Sequence, residues 1–111
     1  MASKVNYLTY VYQFVKDVPQ GKVTTYGEIA NRIKSQFPQI SINAKMVGWA
    51  LHANRSANVP CHRVVDAKGK LAPNFAFNGA AEQRRRLAVE GVSFADEVHV
   101  DLRKHLWIDG R

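Results

Sequence analysis

Only one cysteine, Cys61, occurs in the 111 residues. An intramolecular disulfide is therefore excluded, as is a zinc site built from several thiolates, and this usage suits a reducing compartment. The four histidines, His52, His62, His99 and His105, show with that cysteine none of the usual zinc-ligand spacings, so no metal is expected. No apolar run approaches the roughly 20 residues that span a bilayer, and Met1-Ala2-Ser3-Lys4 has no apolar signal core, so the expectation is a cytoplasmic protein without a membrane partner. Internal repeats and low-complexity segments are also missing. The hydrophobic fraction is 46% and the charged fraction 23%, a balance that argues for a folded chain rather than a disordered one. The length fits a single domain over residues 1–111, expected as a monomer.

Acidic residues are scarce: 9 Asp and Glu stand against 16 Lys and Arg, a net charge of +7. A surplus of this size attracts polyanions, nucleic acid above all, although many basic domains bind none. The motifs have to decide.

Val5, Leu8, Val11, Tyr12 and Val15 recur at helical spacing, which predicts an amphipathic helix over about 4–17, ended by Pro19 and Gly21. Thr25-Tyr26-Gly27-Glu28 has the form of a capping box and predicts a second helix from about Tyr26, with Ile29, Ala30 and Ile33 facing inward. After a connector containing Pro38, a third helix is expected over about 43–53. Two short helices in this order suggest a helix-turn-helix, with a connector longer than the usual 3–4 residues. Ala44, Gly48, Ala50 and Ala53 give the third helix a smooth surface broken by the cation of Lys45; small residues also serve plain helix packing. Val64, Val65 and Leu71 flank the turn Asp66-Ala67-Lys68-Gly69-Lys70 and suggest a short hairpin resembling the wing of a winged helix. Residues 82–90 read as a helix closed by Gly91, with ion pairs expected from Glu82 to Arg86 and from Arg86 to Glu90. Val98, Val100 and Leu102 alternate before Leu106-Trp107-Ile108, so the tail is expected to add a strand or to pack its aromatic on the core. The whole is a mainly α chain with a small β-hairpin wing.

Pro60-Cys61-His62-Arg63-Val64 sets a thiol beside an imidazole and a guanidinium. A free thiol is mostly protonated at neutral pH, and a nearby base or cation raises the fraction of nucleophilic thiolate. A buried cysteine acting as a small hydrophobe is the plain alternative. A cysteine protease would want a larger chain and a histidine brought from elsewhere.

With its neighbours, this segment resembles the active-site signature of the O6-alkylguanine-DNA alkyltransferases. Pro19-Gln20-Gly21-Lys22-Val23-Thr24-Thr25-Tyr26-Gly27-Glu28-Ile29-Ala30 is similar to that family's segment upstream of the recognition helix, Ala44-Lys45-Met46-Val47-Gly48 to the recognition helix itself, and Leu87-Ala88-Val89-Glu90-Gly91 to a downstream segment. Order and approximate spacing agree over about 5–92. The resemblance implies a winged helix-turn-helix DNA-binding domain that docks in the minor groove of duplex DNA and extrudes O6-alkylguanine. It implies that Cys61 takes the alkyl group in a single turnover, that His62 draws the thiol proton through a water, that Glu90 orients His62, and that Asn54 braces the active-site turn. Tyr26 matches the tyrosine that rotates the target nucleotide, and Lys45 stands where the family has an arginine that fills the vacated stack. Thr25, Ala44, Gly48 and Arg63 complete the expected DNA-binding set. No metal and no organic cofactor is implied.

A sister group, the alkyltransferase-like proteins, shares this resemblance; it usually lacks the nucleophile, binds the same lesion and hands it to nucleotide excision repair proteins. Cys61 favours the enzyme, while Val47-Gly48-Trp49-Ala50 and the ending Leu106-Trp107 are more like the sister group. Asn74-Phe75-Ala76-Phe77-Asn78-Gly79 replaces the hydroxyl-bearing loop that meets guanine in the enzymes, and Phe75 and Phe77 either shape the pocket or serve as core aromatics. Lys45 offers a hydrated point charge in place of a planar guanidinium. A winged-helix transcription factor is a third reading.

Overall fold

The computed structural model describes residues 7–108. Helix α1 (Tyr7–Lys16) buries Val11 and Val15 and sets Leu8 and Tyr12 against the same core; the expected contribution of Val5 lies outside the described residues. Strand β1 (Thr24–Thr25) leads directly into α2 (Tyr26–Gln36). Thr25 is the N-cap, its Oγ1 accepting the Glu28 amide at 3.1 Å, while the Glu28 carboxylate lies 3.5 Å from Arg32 one turn on. Helix α3 (Ala44–Ala53) starts from Asn43, whose side chain accepts the Met46 amide at 2.9 Å. Both expected helices therefore begin where their capping residues place them.

The three helices close around one apolar cluster. Ile29, Ala30 and Ile33 of α2 meet Val47, Ala50 and Leu51 of α3 and the buried face of α1, with Val59, Cys61, Val64 and Phe75 completing the contact. Burying side chains such as Ile29 and Ile33 stabilises the fold by about 1.5–3 kcal/mol each. Tyr12 ties α1 to α3 as well, its hydroxyl donating to the Ala50 carbonyl at 2.7 Å.

The wing differs from the hairpin expected of Val64, Val65 and Leu71. Strand β2 (Val64–Val65) pairs in parallel with β1, Thr24 opposite Val64 and Thr25 opposite Val65. The turn after it forms, with Asp66 Oδ1 accepting the amides of Lys68 and Lys70. Its outgoing arm then pairs elsewhere: Lys70 bridges His99 in antiparallel fashion, and the Leu71 amide donates to the Val98 carbonyl at 2.8 Å. Val64 and Val65 are fully buried, so an exposed wing would strip them of their packing, and the C-terminal segment supplies the missing edge partner instead. Gly69 is required there: its φ is +87°, and a Cβ would meet the Val100 carbonyl at 2.7 Å.

Helix α4 (Gly79–Val89) begins earlier than its sequence pattern suggests and is closed at Gly91 (φ +90°), where the Val92 amide returns to the Leu87 carbonyl at 3.0 Å. Glu82 pairs with Arg86 as expected, at 2.9 Å, and also with Arg85 at 2.7 Å. The expected Arg86–Glu90 pair is replaced, because Glu90 is engaged by His62 and Arg63. A second apolar cluster of Val23, Val65, Leu71, Leu87, Val92 and Val100 sits beneath α4. In the tail a short helix α5 (Leu102–His105) takes the place of a continuous strand; Leu106 still bridges Val23, and the Trp107 ring lies under the Arg32 guanidinium at 4.9 Å. No helix among the described residues is long and apolar enough to cross a membrane.

Candidate functional site

Cys61 opens a single 3₁₀ turn (Cys61–Arg63) just before β2, so the parallel pairing of β2 with β1 brings the thiol beside the start of α2. The residue is 4% exposed. Its sulfur nevertheless adjoins a cavity of about 40 Å³ lined by Tyr26, Leu51, His52, Ala72, Phe75 and Gln83, among others. Tyr26, His52, Ala72 and Asn74 also line an outer cleft of about 490 Å³ that runs past Trp49, Asp66 and Lys70. Cys61 thus lines the smaller of two neighbouring hollows, which share Tyr26, His52, Ala72 and Asn74 as walls.

Asn54, C-cap of α3 and almost fully buried, holds the turn before it. Its Oδ1 accepts the Ser56 amide and its Nδ2 donates to the Ser56 carbonyl, both at 3.0 Å, while Nδ2 also lies 3.7 Å from the Cys61 sulfur. Burial pushes the Cys61 thiol above its usual value, and the Asn54 amide, a backbone hydrogen bond and the charge of Arg86 pull partly against it. The resting state is a thiol.

His62 and Arg63 point to the other side of the turn, toward α4. His62 Nε2 lies 2.8 Å from Glu90 Oε2, and Arg63 grips the same carboxylate through Nε at 3.0 Å and Nη2 at 2.7 Å. A carboxylate so engaged only accepts, so Nε2 carries the proton and Nδ1 is the basic nitrogen of the neutral ring. Burial pushes His62 below its ordinary value, outweighing the hydrogen bond to Glu90 that raises it. For Glu90 the balance is reversed: burial raises the carboxyl, but hydrogen bonds from Arg63 and His62 hold it below the usual carboxylate range.

Arg63 was expected at the DNA. Its third arm donates to the Val18 carbonyl at 2.8 Å, so the whole guanidinium is spent inside the fold as a brace between α4 and the end of α1. Lys45, Ala44 and Gly48 lie instead on the open face of α3, where a Cβ added at Gly48 would meet nothing within 4 Å. Lys45 Nζ sits 5.5 Å over the ring of Trp49, which is 57% exposed at the cleft. Tyr26 borders both hollows, and burial, with Asp66 and Cys61 nearby, raises its phenol, keeping it a hydroxyl donor. Thr25 acts as the helix cap.

One site residue escaped the sequence reading. Gln83 of α4 is fully buried; its Oε1 accepts the Ala72 amide at 2.7 Å and its Nε2 donates to the carbonyls of His62 at 3.2 Å and Val64 at 2.9 Å. It fastens the thiol-bearing turn and the base of the 73–78 loop to one helix. The only signal was a lone amide on the apolar side of a charged helix. Among the described residues, no group of three or more His, Cys, Asp or Glu is arranged to hold a metal ion.

A helix-turn-helix joined to a buried thiol with an adjacent His–carboxylate pair defines a DNA-alkylation-repair type of domain, and the comparisons make it particular. Residues 6–92 match the family model described as the 6-O-methylguanine DNA methyltransferase, DNA binding domain, and the chain belongs to that family. It is 33% identical over 106 residues to alkyltransferase-like protein 1 of Schizosaccharomyces pombe, covering 91% of this chain and 94% of that protein. A DNA base-flipping protein of Escherichia coli is 33% identical over 98 residues, covering 87% of this chain and 70% of the relative. The crystal structure of the S. pombe alkyltransferase-like protein with damaged DNA containing O6-carboxymethylguanine superposes with a TM-score of 0.77 at 30% identity, covering 96% of this chain and 99% of that one.

Proposed function

We propose that the protein is a DNA-damage protein that binds duplex DNA through α3, extrudes O6-alkylguanine into the cleft beside Tyr26, and accepts the alkyl group on Cys61. The observation that carries this reading is the thiol on a small cavity that shares Tyr26, His52, Ala72 and Asn74 with the cleft beside α3, braced by Asn54 and followed by the His62–Glu90 pair. The solved relative bound to alkylated DNA, at 30% identity over nearly the whole of both chains, supports the DNA partner.

The chemistry is a direct displacement. The thiol proton passes to Nδ1 of His62 through a water; the sulfur forms a bond to the alkyl carbon as the bond from that carbon to guanine O6 breaks, and the departing guanine takes up a proton from its surroundings. Tyr26 is placed to hydrogen-bond the base. The thioether is stable, so each molecule acts once and needs no cofactor. In the ground state His62 is neutral and Cys61 protonated, a pair ready to transfer one proton when the lesion arrives.

A second reading keeps the DNA and the extruded base but leaves out transfer: a sensor that marks the lesion for nucleotide excision repair proteins. The end-to-end match to the alkyltransferase-like protein favours it. Restoration of a restriction site blocked by O6-methylguanine separates the two. The proposal predicts cleavable DNA in proportion to protein, with no further turnover; tight binding with the site still blocked selects the sensor.

A further inference from the structure

The cavity over Cys61 holds about 40 Å³, roughly the room of a single water and far short of a purine. Asn74, Phe75 and Ala76 of the loop 73–78 form one of its walls, with Phe75 buried and Phe77 half-buried beside it. The two rings lie 5.8 Å apart at 54°. Arg86 of α4 spans both, its guanidinium carbon 4.9 Å from the Phe77 centroid and 5.5 Å from that of Phe75, and Glu82 holds the same guanidinium through Nε at 2.9 Å. A second tie runs from His52 Nδ1 to the Asn74 carbonyl at 2.9 Å. The backbone of the loop is tied by the Ala72 amide on Gln83, the Phe75 amide on the Ala72 carbonyl at 3.1 Å and the Gly79 amide on the Phe75 carbonyl at 2.9 Å, while the rings of Phe75 and Phe77 are held by aromatic and cation–π faces.

We propose that residues 73–78 form a gate over Cys61, clamped shut by Arg86 through Phe75 and Phe77, and that a nucleobase reaches the sulfur only when the clamp opens. The gate rests on the reading of Cys61 as the atom that meets an extruded base, and it adds a determinant of which adducts are admitted and how fast. Ring faces held this way suit side chains that swing aside, since each cation–π contact at a partly exposed site is a small interaction. Arg86 has a second effect at the same place: its charge opposes the rise that burial imposes on the thiol.

The test needs no DNA, so the gate stands or falls apart from alkyl transfer. Rates of Cys61 modification by small iodoacetamide and by the bulky aromatic disulfide 5,5′-dithiobis(2-nitrobenzoic acid) are measured at alkaline pH on the native chain, and their ratio is compared with that of urea-denatured protein. The native ratio is expected to disfavour the bulky reagent strongly. Arg86→Ala and Phe77→Ala should each raise the bulky-to-small ratio roughly tenfold, the order expected for losing contacts of this kind. Arg86→Lys should fall between, since it keeps the charge without the planar face. Any loss of thiolate in Arg86→Ala slows both reagents alike and leaves the ratio to report opening. A ratio unchanged in both variants, or a native ratio equal to the denatured one, overturns the gate. So does a rise of both rates together to the denatured values, which would make the clamp a support of the fold.

Discussion

Asn54 Nδ2 lies 3.7 Å from the sulfur of Cys61 while the same amide closes a turn on Ser56 through two hydrogen bonds of 3.0 Å. One side chain therefore both shapes the approach to the thiol and favours its ionised form. Asn54→Ala would remove both bonds to the exposed Ser56 backbone, at a cost of about 0.5–1.5 kcal/mol for each. It would also remove one of the influences that lower the thiol's pKa. Urea unfolding should show the loss of stability, and iodoacetamide at neutral pH should modify Cys61 more slowly per unit of native protein.

Glu90 joins the Arg63 guanidinium and the neutral His62 ring at 11% side-chain exposure. Because its folded pKa lies below the ordinary 4.5, its contribution to stability is complete above that value and is lost as pH falls through the depressed one. His62, also depressed, adds a loss that begins below 6.5, since the unfolded chain binds that proton more readily. Glu90→Gln should cost about 3 kcal/mol at neutral pH by stranding Arg63 and flatten the acid limb below pH 4.5, as read from chemical unfolding across pH.

The same direction for His62 fixes the pH dependence of transfer. Its neutral form is the base, and its pKa sits below 6.5, so single-turnover rates should hold their full value at neutral pH and fall only at pH values below 6.5. His62→Gln should remove that limb and slow transfer by about 100-fold or more, the usual contribution of a positioned base.

Lys45 stands on the exposed side of α3 beside Trp49. Lys45→Glu should weaken duplex binding by about tenfold or more at low salt, with the deficit shrinking as salt rises, because phosphate contacts release counterions. Lys45→Arg should improve extrusion, seen as increased fluorescence of a 2-aminopurine next to the lesion, since a planar guanidinium fills a vacated base stack better than an ammonium.

The helices were legible in the sequence because capping residues and apolar periodicity are local signals: Thr25 marks the start of α2 to the residue, and the run expected over about 43–53 is α3. The thiol with its imidazole and guanidinium was legible as a contiguous motif. The partners of Val64 and Val65 were not, since a two-residue strand carries no information about which distant edge it joins, and turn chemistry at Asp66–Lys70 suggested the nearest one. Arg63 was misplaced for a similar reason: an arginine beside a nucleophile reads as a ligand-facing cation, whereas three carboxylate and carbonyl contacts brought from Glu90 and Val18 consume it. Gln83 and the Arg86 clamp depend on the packing of α4 over the loop, which no spacing along the chain displays.

The account turns on whether the sulfur of Cys61 is the acceptor. Peptide mass mapping after incubation of the protein with a duplex carrying one O6-methylguanine reads this directly. The expected result is a single added methyl group on the peptide containing Cys61, stoichiometric with lesion lost and absent in Cys61→Ser. An unmodified Cys61 peptide in protein that is fully bound to the lesion would contradict the account.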